Sequence, residues 1–128
     1  MQEKNILLID TNIILRYLLN DNLQQSLVAR KTIENEQILV ITQVIAECIY
    51  VLEKVYRAER SDIAENIKKI ISMKNIELEN KELIHLVINE YGVSNLDFVD
   101  LLLWANNKLF GFEIKTFDKP LAKKLRYI

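Results

Sequence analysis

Residues 96–118, LDFVDLLLWANNKLFGFEIKTFD, constrain the fold most, because they set acids within and beside a strongly apolar stretch. Positions 98–110 read as an apolar helix with little polar relief. Gly111 stands where a C-terminal capping glycine belongs, and 112–117 reads as a buried strand. Asp100 falls inside that helix and Asp118 just past that strand. A carboxylate flanked by Val99, Leu101, Leu102 and Leu103 must be paired, hydrogen-bonded or bound to a cation, since burying it alone is costly. No Lys or Arg lies within one helical turn of Asp100, so a metal ion is its most economical partner.

The rest of the chain alternates short apolar runs with amphipathic segments. Ile6, Leu7, Leu8 and Ile9 have the pattern of a central strand buried on both faces, with Asp10 at its carboxyl tip. Thr11 and Asn12 are N-cap types ahead of a helix carrying Ile13, Ile14, Tyr17 and Leu18, and Asp21 or Asn22 opens a second helix. Residues 38–41 form the next strand. Thr42 then caps an amphipathic helix whose apolar face, Val44 to Tyr56, contains Glu47.

Ser61 with Asp62 starts a further helix, 76–78 reads as a short strand, and 81–91 as a helix stopping at Gly92. Pro120 fits the first turn of a terminal helix, with 125–128 as a last edge strand. Strands separated by helices along the whole length predict an α/β sandwich with a mostly parallel sheet, and no repeat or linker divides residues 1–128, so one domain is expected.

Charge and cysteine content narrow the setting. A net charge of −1 supplies no global attraction for nucleic acid, so any such binding must come from a local patch. The single cysteine, Cys48, cannot close an internal disulfide, and the first residues do not form a signal segment. No apolar run is long enough to span a membrane, so a cytoplasmic protein with no membrane partner is expected.

In open parallel sheets, ligands bind beyond the carboxyl ends of the strands. Asp10 and Asp118 are expected at such ends, and Glu47 in the first turns of a helix leaving one. Four carboxylates, Asp10, Glu47, Asp100 and Asp118, converging at neutral pH would repel one another unless a cation neutralised them. Oxygen ligands without His or Cys favour Mg2+ or Mn2+ over zinc. Such a cluster suits phosphodiester hydrolysis with water as the attacking group, and nothing here supplies a covalent nucleophile with its base.

The DTN after the first strand, the lone Glu in the helix after the second, the Asp in an apolar helix and the terminal TFD resemble PIN-domain ribonucleases, most closely the toxins of VapBC toxin–antitoxin pairs. The resemblance runs from Ile6 to about Leu121. It implies a three-layer α/β/α sandwich and places the acidic quartet on Asp10, Glu47, Asp100 and Asp118, with Thr11 or Asn12 and Thr116 as supporting groups. It also implies Mg2+ or Mn2+ dependence, RNA cleavage, homodimers and a cognate antitoxin.

Each residue has a plainer reading too. Asp10 could merely cap a helix, Glu47 could face solvent, and Asp118 before Lys119 and Pro120 could be a turn acid. Asp97, three residues after Ser94, completes a capping box and reads first as a structural or supporting acid. His85 reads as a surface or packing residue, Cys48 as a small buried hydrophobe and Trp104 as core. Lys115, Lys119, Lys123 and Lys124, together with Arg16 after Asp10, are candidates for holding RNA phosphates. The expected function is therefore a metal-dependent endoribonuclease. Its rival is a PIN-like module that binds RNA or protein without cutting. A phosphotransferase using Asp10 as nucleophile fits less well, because Asn12 stands where a second acid is needed.

Overall fold

Parallel strands need long crossovers, and helices supply them here. The computed structural model describes residues 5–126. Its elements run β1 (Leu7–Leu8), α1 (Thr11–Leu19), α2 (Leu23–Asn35), β2 (Ile38–Val40), α3 (Thr42–Lys54), α4 (Arg60–Ile71), β3 (Ile76–Leu78), α5 (Lys81–Tyr91), α6 (Phe98–Phe110) and α7 (Lys119–Arg126). The three strands form one parallel sheet in the order β1-β2-β3, with Leu7 opposite Ile38 and Val40 opposite Leu78. This is the α/β class that alternating strands and helices predict.

Central β2 has neighbours on both sides, and its Ile38 and Val40 are buried. The outcome at β1 differs from expectation: Ile6, Leu7 and Leu8 are exposed, because among the described residues β1 has a single strand neighbour and of this run only Ile9 turns into the core. Residues 112–117 form no strand. Phe112 and Phe117 face solvent while Ile114 leans on the core, and among the described residues no strand pairs with the outer edge of β1.

Helix boundaries follow local chemistry. Asp10 itself is the N-cap of α1, accepting from the Ile13 N–H at 3.2 Å, one position earlier than the Thr11 or Asn12 expected. Asn22 caps α2. Thr42 is the first helical residue of α3 rather than its cap, and its N–H donates to Glu79 at 2.6 Å. Helix α4 begins at Arg60, just ahead of Ser61 and Asp62. Gly111 ends α6 in the left-handed conformation at φ 74°, where a side chain would be strained. Leu125 and Arg126 close α7 rather than forming an edge strand, and 127–128 lie outside the described residues.

The placement of α6 rests on one guanidinium. Arg60 donates from Nη2 to the Leu96 carbonyl at 2.6 Å and from Nε to the Tyr91 carbonyl at 3.2 Å. It also meets Glu53 at 3.3 Å and lies 3.8 Å over the Tyr91 ring. The Tyr91 hydroxyl donates to Glu53 at 2.7 Å. Burial alone would raise the Glu53 carboxyl, but the Tyr91 hydroxyl and the Arg60 and Lys54 charges outweigh it and hold the group below the usual range. Fully buried Leu101 then fixes which face of α6 turns inward, a contribution of about 2 kcal/mol.

Removing one partner from such a network leaves the others unsatisfied. Arg60→Met is therefore expected to lower stability by about 3 kcal/mol in urea unfolding. Lys69→Met, which breaks only the exposed 4.0 Å pair with Glu65, should change it by about 0.5 kcal/mol or less. Equal midpoints for the two variants would refute the importance given to the Arg60 network.

Candidate active site

The acids Asp10, Glu47, Asp97 and Asp100 line two cavities, each walled in part by α3. Asp10, at the end of β1, and Glu47, one turn into α3, line a cavity of about 390 Å³ together with Thr11, Asn12, Arg16 and Tyr56. Thr11 is buried, and its hydroxyl donates to Glu47 Oε1, which ties the start of α1 to α3. Glu47 is exposed at this mouth rather than half-buried, so its orientation comes from Thr11 and not from burial.

Beneath them lies Cys48, fully buried, whose Sγ–H points to the Thr11 carbonyl at 3.9 Å. Burial pushes its thiol up to about 12, and the charges of Glu47 and Asp10 add to the effect. A neutral, enclosed thiol is neither a nucleophile nor a metal ligand at neutral pH.

Asp97 and Asp100 line the second cavity, of about 310 Å³, against Tyr50, Glu53 and Lys54 of α3. Asp97 is the N-cap of α6 but makes no side-chain cap bond, and the Ser94 hydroxyl accepts from the Leu96 N–H at 3.0 Å. The capping box expected of these two residues is thus absent, because Ser94 lies four residues before the first helical position. Asp100 is half-buried, since Val99 and Leu103 are exposed, which is less enclosed than the apolar sequence around it predicts. Its carboxyl is raised from the ordinary range, first by burial and then by the like charges of Asp118 and Asp97.

Asp118 is exposed and starts α7, accepting from the Leu121 N–H at 2.9 Å, while its own N–H donates to Thr116 Oγ1 at 3.0 Å. The structure therefore sets Asp10 with Glu47, and Asp100 with Asp97 and within the field of Asp118. It does not gather the four into one cage: among the described residues no three His, Cys, Asp or Glu side chains are grouped to hold a metal ion. Residues 112–117 pair with no strand among the described residues, so Asp118 follows an irregular segment and not the strand end expected of it.

The donor chemistry nonetheless suits a hard divalent cation. Among the described residues, Asp10, Glu47, Asp97, Asp100 and Asp118 join no ion pair, whereas Glu53, Glu90 and Asp21 each do. Of the basic candidates, Lys115, Lys119 and Lys123 are exposed. Lys124 is engaged, bonded to Glu90 at 2.6 Å and lying 4.5 Å over Trp104, and Arg16 is paired with Asp21. Tyr50 and Lys54, which share the second cavity with Asp100, escape a reading of the sequence alone. Their spacing of one turn on an amphipathic helix is the only signal they give.

A parallel α/β fold with unpaired acids beside one helix has a counterpart among known families. The PIN domain family matches residues 7–125, nearly the whole chain, and this protein belongs to that family. It is also similar to a VapC ribonuclease of Aquifex aeolicus (strain VF5), at 28% identity over 121 residues covering 91% of this chain and 90% of that protein. No solved structure matches it.

Two outcomes check this electrostatic account. Cys48 should resist thiol reagents at pH 8 in the folded protein and react freely once urea unfolds it. Its contribution to stability, complete below the unfolded thiol value, should be lost as pH rises toward about 12. Because the folded Asp100 carboxyl is raised, its charge opposes folding at neutral pH. With chelator present, Asp100→Asn should raise the melting midpoint at pH 7 by about 2 °C, and the gain should vanish on acidification through the carboxylate range. An Asn variant that melts earlier at pH 7 would contradict the assignment.

Proposed function

We propose that this PIN-domain protein is a Mg2+- or Mn2+-dependent endoribonuclease, with Asp10, Glu47, Asp100 and Asp118 as its acidic residues. The observation that carries the reading is the set of acids left without cations flanking α3, with Asp100 opposed by Asp118 and Asp97. A group held against burial and like charge implies a missing counter-charge. Carboxylate and hydroxyl oxygens, with the only cysteine neutral and buried, favour a hard ion. The residues that would hold it are Asp10 with Glu47, which share one cavity, and Asp100, which lines the other and lies in the field of Asp118.

A bound divalent ion supplies Lewis acidity for hydrolysis of an RNA phosphodiester by water. The chain's own contribution is orientation. Thr11 fixes Glu47, the α1 N-terminus fixes Asp10, Thr116 and the first turn of α7 fix Asp118, and the Arg60 network fixes the segment that carries Asp97 and Asp100. Asn12 lines the Asp10 cavity and is a candidate supporting group. Exposed Lys115, Lys119 and Lys123 are candidates for phosphate contacts.

Similarity to a VapC ribonuclease supports a biological role as the toxin of a pair, restrained by an antitoxin protein. Exposed Val99 and Leu103, one turn apart on α6, offer apolar surface for a homodimer. Among the described residues no helix is long and apolar enough to cross a membrane.

Incubating the protein with an RNA panel tests this reading. Cleavage should require Mg2+ or Mn2+, stop on adding chelator, and fall on the order of 10²-fold or more in Asp10→Asn and Asp100→Asn. Cleavage that persists in chelator would end the metal assignment. RNA binding without cleavage under any metal would favour the rival, a PIN-like binding module.

A further inference from the structure

Tyr50 is spent on nothing inside the protein. It is 62% exposed, whereas Tyr91 is fully buried and Tyr17 packs on the core. Among the described residues its ring joins no aromatic or cation–π pair and its hydroxyl makes no hydrogen bond. Yet it is held on α3, a rigid element, and lines the same cavity as Asp100. Lys54, one helical turn further along the same stripe, lines that cavity too. Its nearest acid, Glu53, is 4.0 Å away and already engaged by Arg60 at 3.3 Å and Tyr91 at 2.7 Å. The ammonium is therefore free to turn outward.

We propose that Tyr50 and Lys54 form a nucleotide subsite beside Asp100, in which an unpaired RNA base lies on the Tyr50 ring and the adjoining phosphate meets Lys54. The inference rests on the ribonuclease reading and adds residues to it. An apolar ring face with no protein partner matches the π-face that every base presents, and only an unpaired base offers that face to a protein. The cavity, about 310 Å³, is at the lower end of the range of roughly 300–1,000 Å³ typical of small-ligand clefts. Lys54 also answers the repulsion between phosphate and the acids. It places one positive charge on the wall facing Asp97 and Asp100, so the backbone can approach that wall while the base turns to the ring.

The test uses the full chain with Asp100→Asn as background, so that binding is read without cleavage. Fluorescence anisotropy with a single-stranded hexaribonucleotide should show Tyr50→Ala weakening binding about 5- to 100-fold, with Tyr50→Phe within about 2-fold of the parent. An abasic hexamer should erase the difference between parent and Tyr50→Ala. Lys54→Gln should reduce the slope of log affinity against log salt by about 0.7.

Equal binding by parent and Tyr50→Ala, or an equal loss on the abasic strand, overturns the subsite while leaving the nuclease reading intact. A Tyr50→Ala chain that keeps its RNA affinity but changes its sedimentation would assign the ring to a protein interface instead, and also overturns it. If the unsubstituted protein neither binds nor cuts any RNA, the ribonuclease reading falls and the subsite falls with it.

Discussion

The Arg60 guanidinium joins segments that are distant in sequence: Glu53 on α3, the carbonyl ending α5 at Tyr91, and the carbonyl of Leu96 ahead of α6. The Tyr91 carbonyl is one of those left without an intrahelical partner at the C-terminus of α5, and the Leu96 carbonyl lies in the loop ahead of α6. One side chain thus satisfies orphan acceptors and neutralises a half-buried carboxylate together. The entry point of α6 follows from that, and with it the direction in which Asp97 and Asp100 leave the backbone. Packing of Leu101, Trp104 and Ala105 sets the rotation of the helix, while the guanidinium sets its start.

Helix α3 is the common wall of both acid-bearing cavities. Glu47 and Val51 belong to one stripe, and Tyr50, Glu53 and Lys54 to the next. Chemistry on the two sides is unequal. On the Asp10 side the acid is steered by a buried hydroxyl, and the neighbouring thiol is silenced by burial. On the Asp100 side a carboxylate is held at some electrostatic cost with an exposed aromatic and a lysine opposite. Such an arrangement favours a ligand that brings positive charge to the acids and a flat apolar face to the ring.

Much of this was legible in the sequence. Helical periodicity and the Gly111 cap located α6 to the residue, and the class of fold followed from alternating elements. Asp10 and Asp118 stand out as candidates because short apolar runs end at them. What failed was any step that inferred burial from apolarity alone. Ile6, Leu7 and Leu8 read as an enclosed strand but sit on an edge, and 112–117 reads as a strand but pairs with nothing among the described residues. Strand pairing is non-local, so a run of apolar residues cannot say whether a neighbour arrives. The burial of Asp100 is less than its apolar neighbours imply for the same reason, because Val99 and Leu103 face outward on its helix. The Arg60 network was invisible, since a lone arginine near a helix start looks like any solvated charge.

Two of the acids carry a second duty. Asp10 and Asp118 each accept a backbone N–H from the first turn of the helix that follows them. Deleting either side chain therefore frays a helix as well as removing a charge. Random inactivating changes at these two positions would also reduce the amount of folded protein, so loss of chemistry and loss of abundance are inherited together. An amide in place of the acid separates them, since it keeps an oxygen for the backbone while giving up the negative charge.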